Sequence, residues 1–547
     1  MRQGQGQGQD SVQPAAENSP VRVPRWAYSL VTALSLLLGA TNVVRGTRGV
    51  QVASDSDLTN FFFKSANYIL TGHPFQMYAV RASGGYPNFN PPLSIFLMAP
   101  FLKLGQALGF AHNYGEQITV VALPFLIFVP LLGLLVLRVL THLYPQMPET
   151  QRLLAYMLVT LSPLTWQAYS PWYHLEQPLM LCFLVAAVWA LQTNRDATAG
   201  LLAGLAVLTR TTALMPLIAL GVLLLMAGQM RRLVTLGGVA AIVAGIGLAP
   251  FFLFDRPNAM YSFVTWRGTA AIGGNSIWDI FGHTLNSLVR RLDMPSVIAV
   301  ILIVAFLAAR RLRISALGRE AWAVLAIGAL TVPMLSKTNW PYYYLEPFIL
   351  LVIWEFGTLH DRRAGLWRWP VLSVGFLAVA GTLSQYIGLQ SVGYLDRATV
   401  GLVEFAAMAG FAVAIWRRAQ AAKPALAGAE IPGMAAEIPP PIFARRAPAQ
   451  PEPQAWNAPA PSPAMPSTGR MQLPEQPGQP LWPESPARVQ DRPAGGGWPP
   501  QQAAPSNGWS QQAAPKPNAS VPGTDVPWPD LDAGWPLNPP GGPRRNP

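Results

Sequence analysis

Apolar runs long enough to cross a bilayer recur from Trp26 to Trp416, and they limit the chain to very few architectures. Spans lie near 26–44, 91–110, 117–138, 153–169, 178–192, 198–229, 233–254, 295–309, 320–336, 342–357, 370–389 and 400–416. Backbone groups in hydrocarbon find no water, so a chain crosses as helices or as a closed barrel. The runs are continuous rather than alternating at every second residue, which excludes a barrel. The expected fold is all-α: a polytopic transmembrane helix bundle of about 11–13 spans. One stretch leaves its own count open. Residues 198–229 carry Arg210 near the middle and read as one long kinked helix or as two short ones.

The formal net charge of +12 does not point to nucleic acid, because only 12% of residues are charged and the basic ones cluster in short loops. Arg231-Arg232, Arg310-Arg311-Arg313, Arg362-Arg363 and Arg417-Arg418 mark cytoplasmic ends. Counting back from Arg417-Arg418 puts loops 337–341 and 255–294 outside, counting forward from Arg22 and Arg25 puts loop 45–90 outside, and the two counts agree only if residues 198–229 make one span or another segment is re-entrant. Residues 1–25 read as a disordered cytoplasmic N-terminus and residues 26–420 as the transmembrane domain. Residues 421–547 form a Pro/Ala/Gln-rich tail that cannot bury enough apolar area to offset its chain entropy and stays disordered. Trp482, Trp498, Trp528 and Trp535 stand in proline contexts there, as candidate docking motifs for a protein partner. A low-complexity tail is the plainer reading. The single cysteine, Cys182, lies in an apolar run and reads as a buried inert thiol.

Loop 45–90 contains "SDSDLTNFFFKSANYILTGHPF", residues 54–75. Its Phe61, Phe62, Phe63, Tyr68 and Ile69 suit a helix lying on the membrane surface. Asp55 and Asp57 sit just outside an apolar span. A carboxylate there can act as a general base toward an incoming hydroxyl. The competing reading is that Asp57 caps a helix starting at Leu58. Arg210 is costly in an apolar run unless paired, and Glu176 is the candidate partner. His174 and Glu176, in "YHLEQ", either bind substrate or form a solvated turn. Trp166, Trp172, Trp340, Tyr342, Tyr343 and Tyr344 stand at predicted helix ends, where most suit an interface belt and one or two could stack on a sugar. Glycines in 198–205 suit helix packing. The six histidines are scattered and show no metal-ligand spacing, so neither metal nor cofactor is expected. No Walker-type motif points to a pump.

Taken in order, several motifs resemble the GT-C superfamily of membrane glycosyltransferases. They are the Asp after the first helix, the turn Gly72-His73-Pro74-Phe75, and the helix entry Asn90-Pro91-Pro92-Leu93. The context after Pro92, ending in Ala99-Pro100, is most similar to glycosyltransferase family 87. "SPWYHLEQPLMLCF", "AGLLAGLAVLTRTTALMP" and "SKTNWPYYYLEPF" also resemble segments of that family, so the resemblance covers about residues 26–416. It implies a polyprenyl-phosphate sugar donor, mannose by default, and an inverting transfer outside the membrane to a lipid, glycan or protein acceptor. Asp57 is the implied base, with Asp55 second. Arg210, Lys337 and Arg267 are implied for the donor phosphate, and His174, Glu176, Gln177, Asn339 and Tyr342 for substrate. The expected setting is a bacterial plasma membrane, with the site facing outside, lipid-linked or glycan acceptors, and the tail in the cytoplasm. Two other classes compete: a lipid or solute transporter, which inverted repeats would support, and a scaffold whose function resides in the tail.

Overall fold

The computed structural model describes residues 23–47, 57–79, 88–170, 172–266, 272–281, 286–359, 369–388 and 394–421. The N-terminus before Val23, the tail, Asp55 and Arg267 lie outside the described residues. The rest is a helical bundle. Its helices are α1 (Arg25–Thr47), α2 (Lys64–Leu70), α3 (Pro92–Ala107), α4 (Tyr114–Phe125), α5 (Phe128–Leu143), α6 (Glu149–Thr160) and α7 (Glu176–Gln192). They continue as α8 (Asp196–Thr209), α9 (Leu214–Met226), α10 (Met230–Phe254), α11 (Asn286–Arg311), α12 (Ala321–Leu335), α13 (Leu345–Thr358), α14 (Val371–Gly388) and α15 (Tyr394–Ala421). Two parallel strands of two residues each, β1 (Gly273–Gly274) and β2 (Thr338–Asn339), pair Gly273 with Thr338 and Gly274 with Asn339.

Among the described residues, five helical runs are long and apolar enough to cross a membrane: Arg25–Thr47, Tyr114–Leu143, Met230–Phe254, Arg291–Arg311 and Ala398–Ala421. The other apolar helices have 10–17 residues, about 15–26 Å at 1.5 Å per residue, less than a hydrocarbon core of about 30 Å. The difference in length matches a difference in burial. Every residue of α13 is buried, as are most of α7 and α12, whereas α10 leaves Ile242, Ile246, Leu253 and Phe254 exposed. A helix apolar all round belongs inside. Short helices with irregular joints are tolerated at membrane depth when protein surrounds them.

The 198–229 stretch is two helices. α8 ends at Thr209, Arg210 is extended (φ −157°, ψ 132°), and a 3-10 turn over Thr211–Ala213 leads into α9. α8 packs on α7 and α10, and α9 packs on α11 and α12. Gly200 and Gly204 make the first contact possible. A Cβ on Gly200 would lie 2.7 Å from Val239 Cβ, and one on Gly204 2.7 Å from Val243 Cβ. This is small-residue packing, as expected of those glycines.

The segment after α1 departs from its expected place on the membrane surface. A π-turn over Leu58–Phe63 runs into α2, and all six residues of that turn are buried. Phe62 and Phe63 point into the bundle, and α2 packs on α3. The following chain is stitched down by polar side chains, which keeps these aromatics off the lipid. Ser65 Oγ donates to the Met77 carbonyl at 2.8 Å and accepts from Asn88 Nδ2 at 2.8 Å. Asn88 Oδ1 accepts the Asn90 N–H at 2.9 Å, and the Tyr78 hydroxyl donates to the Asn90 carbonyl at 3.0 Å. Gly72, at φ +85°, ends α2. The His73 N–H returns to the Tyr68 carbonyl and the Gly72 N–H to that of Ile69, the Schellman pattern. Pro91, extended, and Pro92 at the first helical position then open α3.

The belt reading of the aromatics also needs correction. Trp166, Tyr342, Tyr343 and Tyr344 are buried within protein, and only Trp172 and Trp340 are half-exposed. The sequence places them at helix ends, but those ends converge on one another rather than on lipid.

Candidate active site

The site forms where the start of α2, the turn before α7, the break at Arg210 and the turn Pro341–Tyr344 meet. Asp57 is helical (φ −58°, ψ −32°) and its side chain makes no capping bond, so it is not there to cap. Its Oδ2 instead lies 2.7 Å from His174 Nε2, 117 residues away. His174 Nδ1 lies 2.7 Å from Glu176 Oε1, and Arg210 Nη1 pairs with that same oxygen. Exposure is graded along this chain. The side chain of Asp57 is 24% exposed, that of His174 5% and that of Glu176 0%.

Both ring nitrogens of His174 face carboxylates, and ionised carboxylates only accept. Each nitrogen therefore carries a proton, and the ring is an imidazolium. Arg210 Nη1 also approaches Nδ1, at 3.1 Å. With that nitrogen protonated this is a contact through the shared Glu176 oxygen, not a hydrogen bond. Burial opposes the charge on His174, but Glu176 and Asp57 outweigh burial and the Arg210 cation, and hold its pKa above the ordinary value. Two anions and two cations then balance within one cluster.

The local backbone is built to present these groups. Tyr173 takes a left-handed φ of +55°, which is costly for a non-glycine residue and turns the chain into His174. Gly46, near the end of α1, leaves room for that turn, since a Cβ there would lie 2.3 Å from Ser170 Oγ and 2.7 Å from the Tyr173 hydroxyl. Gln177 Nε2 donates to the Tyr342 carbonyl at 2.5 Å, which fastens the late turn to α7. The Tyr342 ring lies 3.7 Å from the His174 ring. The Arg210 guanidinium faces Tyr342 at 5.1 Å and Tyr343 at 5.5 Å. Trp172 packs at 5.2 Å from Trp340 and 6.1 Å from Tyr342, forming an aromatic wall beside the charges.

The structure thus brings together Asp57, His174, Glu176, Gln177, Arg210 and Tyr342. His174 and Glu176 are not a solvated turn, because both are buried. Asn339 belongs to a neighbouring cluster, where its Nδ2 donates to Glu404 Oε2 at 2.6 Å. Asn275 and Tyr344 also face Glu404. Ser276 Oγ donates to the Ser336 carbonyl at 2.8 Å and Trp278 Nε1 to that of Leu335 at 2.7 Å, tying the segment between α10 and α11 to the chain before β2. Lys337 is buried in that segment. Among the described residues no group of three or more His, Cys, Asp or Glu is arranged to hold a metal ion. Sequence reasoning missed Glu346 and Glu404. Glu404 had a visible signal, a lone acid in an apolar run.

Residues 88–336 match the model of Glycosyltransferase family 87. No curated protein matches the chain. Among solved structures it is similar to ArnT from Cupriavidus metallidurans, crystallised with undecaprenyl phosphate. Identity there is 15%, the match covers 74% of this chain and 79% of that one, and the TM-score is 0.40. The family match spans His174, Glu176 and Arg210, and over that segment the chain is similar to the membrane glycosyltransferases of family 87.

Proposed function

We propose that the enzyme transfers a sugar, mannose by default, from a polyprenyl-phosphate donor to an acceptor hydroxyl at the exterior face, with Asp57 as general base. The observation that carries this reading is that Asp57 alone in the charged cluster is open to solvent, while three buried charged groups are spent on fixing its surroundings. In the reaction the acceptor oxygen attacks the anomeric carbon from the face opposite the phosphate. Asp57 takes the acceptor's proton, the bond from carbon to phosphate oxygen breaks, and the polyprenyl phosphate leaves with the electron pair. In-line attack inverts the anomeric centre. Arg210 supplies positive potential for the leaving phosphate even while paired with Glu176, because its Nε is buried without a partner. Trp172 and Trp340, half-exposed beside Tyr342, suit the apolar face of a sugar. Lys337 and Arg267 remain candidates for the donor phosphate, and Asp55 for the acceptor side.

The test is transfer from radiolabelled polyprenyl-phosphate mannose in membranes carrying wild type or Asp57→Asn at equal expression. Transfer by wild type and its loss in Asp57→Asn supports donor class and base together. Equal transfer by both removes Asp57 from the chemistry. No transfer by wild type from mannosyl, glucosyl or arabinosyl donors removes the donor class.

A further inference from the structure

We infer that His174 is a positioning residue rather than a substrate ligand: it grips one oxygen of Asp57 and so aims the other at the acceptor hydroxyl. The inference rests on the reading of Asp57 as base. Three observations carry it.

The first is occupancy. Both His174 nitrogens are engaged, Nε2 by Asp57 and Nδ1 by Glu176, each at 2.7 Å. No ring lone pair or proton is left for a substrate, and the side chain is only 5% exposed.

The second is what holds Asp57. It lacks a capping bond, and among the described residues His174 is its only hydrogen-bond partner. Without the ring the carboxylate would rotate freely about χ1 and χ2 at the start of an otherwise buried turn. With the ring, Oδ2 is fixed and Oδ1 is the open acceptor.

The third is that the ring itself is fixed from every side. The Tyr173 backbone is strained at φ +55°. Glu176 at the start of α7 is locked by Arg210 from the α8–α9 break, and Arg210 in turn is under the field of Glu346 in α13. Tyr342 covers one ring face at 3.7 Å, and Tyr343 faces Arg210. A ligand-binding histidine would gain nothing from so much restraint, whereas an aiming device requires it.

The test is steady-state transfer by His174→Gln beside wild type over pH 5.5–9.5. Gln keeps one N–H donor but cannot hold a charge between two carboxylates. The expected result is a kcat lower by on the order of 10²-fold, the scale of a small misplacement, with donor and acceptor KM within about twofold of wild type. Because the His174 pKa is raised, the ring is charged in acid and loses its proton as pH climbs through the folded value. Wild-type kcat therefore falls on the alkaline side, and His174→Gln lacks that limb. A raised KM at wild-type kcat would make His174 a substrate ligand and overturn the inference. So would an alkaline limb that persists in the variant. If His174→Gln does not fold, the wild-type profile still decides, since a kcat that rises as the ring loses its proton on the alkaline side is incompatible with an aiming imidazolium. Asp57→Asn, assayed alongside, separates the two levels. If it keeps full transfer, the base assignment falls, and this inference with it. If it abolishes transfer while His174→Gln stays at wild-type kcat, only this inference falls.

Discussion

Two carboxylates, Glu176 and Glu355, are both fully buried and both paired with arginine, yet their surroundings differ. Glu355 lies near the C-terminal end of α13. It accepts from the Leu372 N–H at 2.9 Å, the Ser373 N–H and hydroxyl at 2.6 Å each, and Arg418 Nη1 at 2.8 Å. Arg418 also lies 5.8 Å from the Trp354 ring, whose indole N–H donates to Glu320. Both oxygens of Glu355 are bonded, and the cluster ties α13 to α14 and α15. Glu176, at the start of α7 and beside the turn that precedes α13, shares one oxygen between Arg210 and His174 and leaves Oε2 without a partner, as are Arg210 Nε and the neighbouring Gln177 Oε1. Buried polar groups are nearly always satisfied, so a fully bonded knot reads as structure and an incompletely bonded one, opening through Asp57 to solvent, reads as function. The two clusters can be separated experimentally because one should govern rate and the other stability.

The largest expected effect is on rate. Asp57→Asn should lower transfer by about 10³-fold, within the usual range for removing a general base, and should lower the thermal midpoint in detergent only modestly, because Asn keeps an acceptor for His174, Asp57 is partly exposed and no capping bond is lost. A large fall in the midpoint would erase the contrast and return Asp57 to a structural role.

Arg210→Met comes next and should lower both. It leaves Glu176 charged, buried and without its main partner, a cost of about 3–5 kcal/mol. The comparison sharpens with Glu176→Gln combined with Arg210→Met. Removing both charges should restore much of the stability while transfer stays low, because the His174 ring is no longer held. A double variant as unstable as the single one would show that the pair is retained for packing alone. Stability should also depend on pH through His174. Its raised pKa means that its contribution is complete below the unfolded value of about 6.5 and is lost as pH rises through the folded one. The midpoint of wild type should therefore fall from neutral to alkaline pH, and that of His174→Gln should fall less.

Much of this arrangement was legible in the sequence, and the parts that were not have physical reasons. The apolar runs foretold nearly every helix, because hydrophobic length survives without tertiary information. Their number of crossings did not follow, since α7, α12 and α13 owe their apolarity to burial in protein as much as to lipid. Asp57, His174, Glu176 and Arg210 could be named one by one as costly charges. Their contact across 117 residues could not be read, because it depends on the extended residue at Arg210 and the left-handed turn at Tyr173. The Phe61–Phe63 run misled for a related reason. A surface helix and a buried turn share an aromatic composition, and only the Ser65–Asn88–Asn90 stitching decides between them. Asn339 was read with the substrate-binding set, and its bond to Glu404 was not legible, because it depends on β1 pairing with β2 from a segment about 65 residues earlier in the chain.

Within the Glu355 knot the effects should be smaller and confined to stability. Arg418→Met leaves Glu355 with two backbone N–H donors and a hydroxyl, so the loss should be about 2 kcal/mol, typical of one charge-assisted bond. Arg418 is also less buried than Arg210, with a side chain 14% exposed against 7%, so water can enter as a partial substitute.

Ser373→Ala is the gentlest probe and the most discriminating. It removes the hydroxyl donor at 2.6 Å but keeps the Ser373 N–H on the same oxygen, so Glu355 stays bonded at both oxygens. The expected cost is about 1 kcal/mol, seen as a small fall in thermal midpoint with kcat and KM unchanged. A change in kcat would mean that the C-terminal end of α13 communicates with the turn Pro341–Tyr344 at its N-terminal end. That turn carries Tyr342 against His174, so a shift of α13 along its axis would be felt first as a misaimed Asp57. An unchanged kcat at lowered stability would instead show α13 acting as a rigid strut, with its two ends energetically independent.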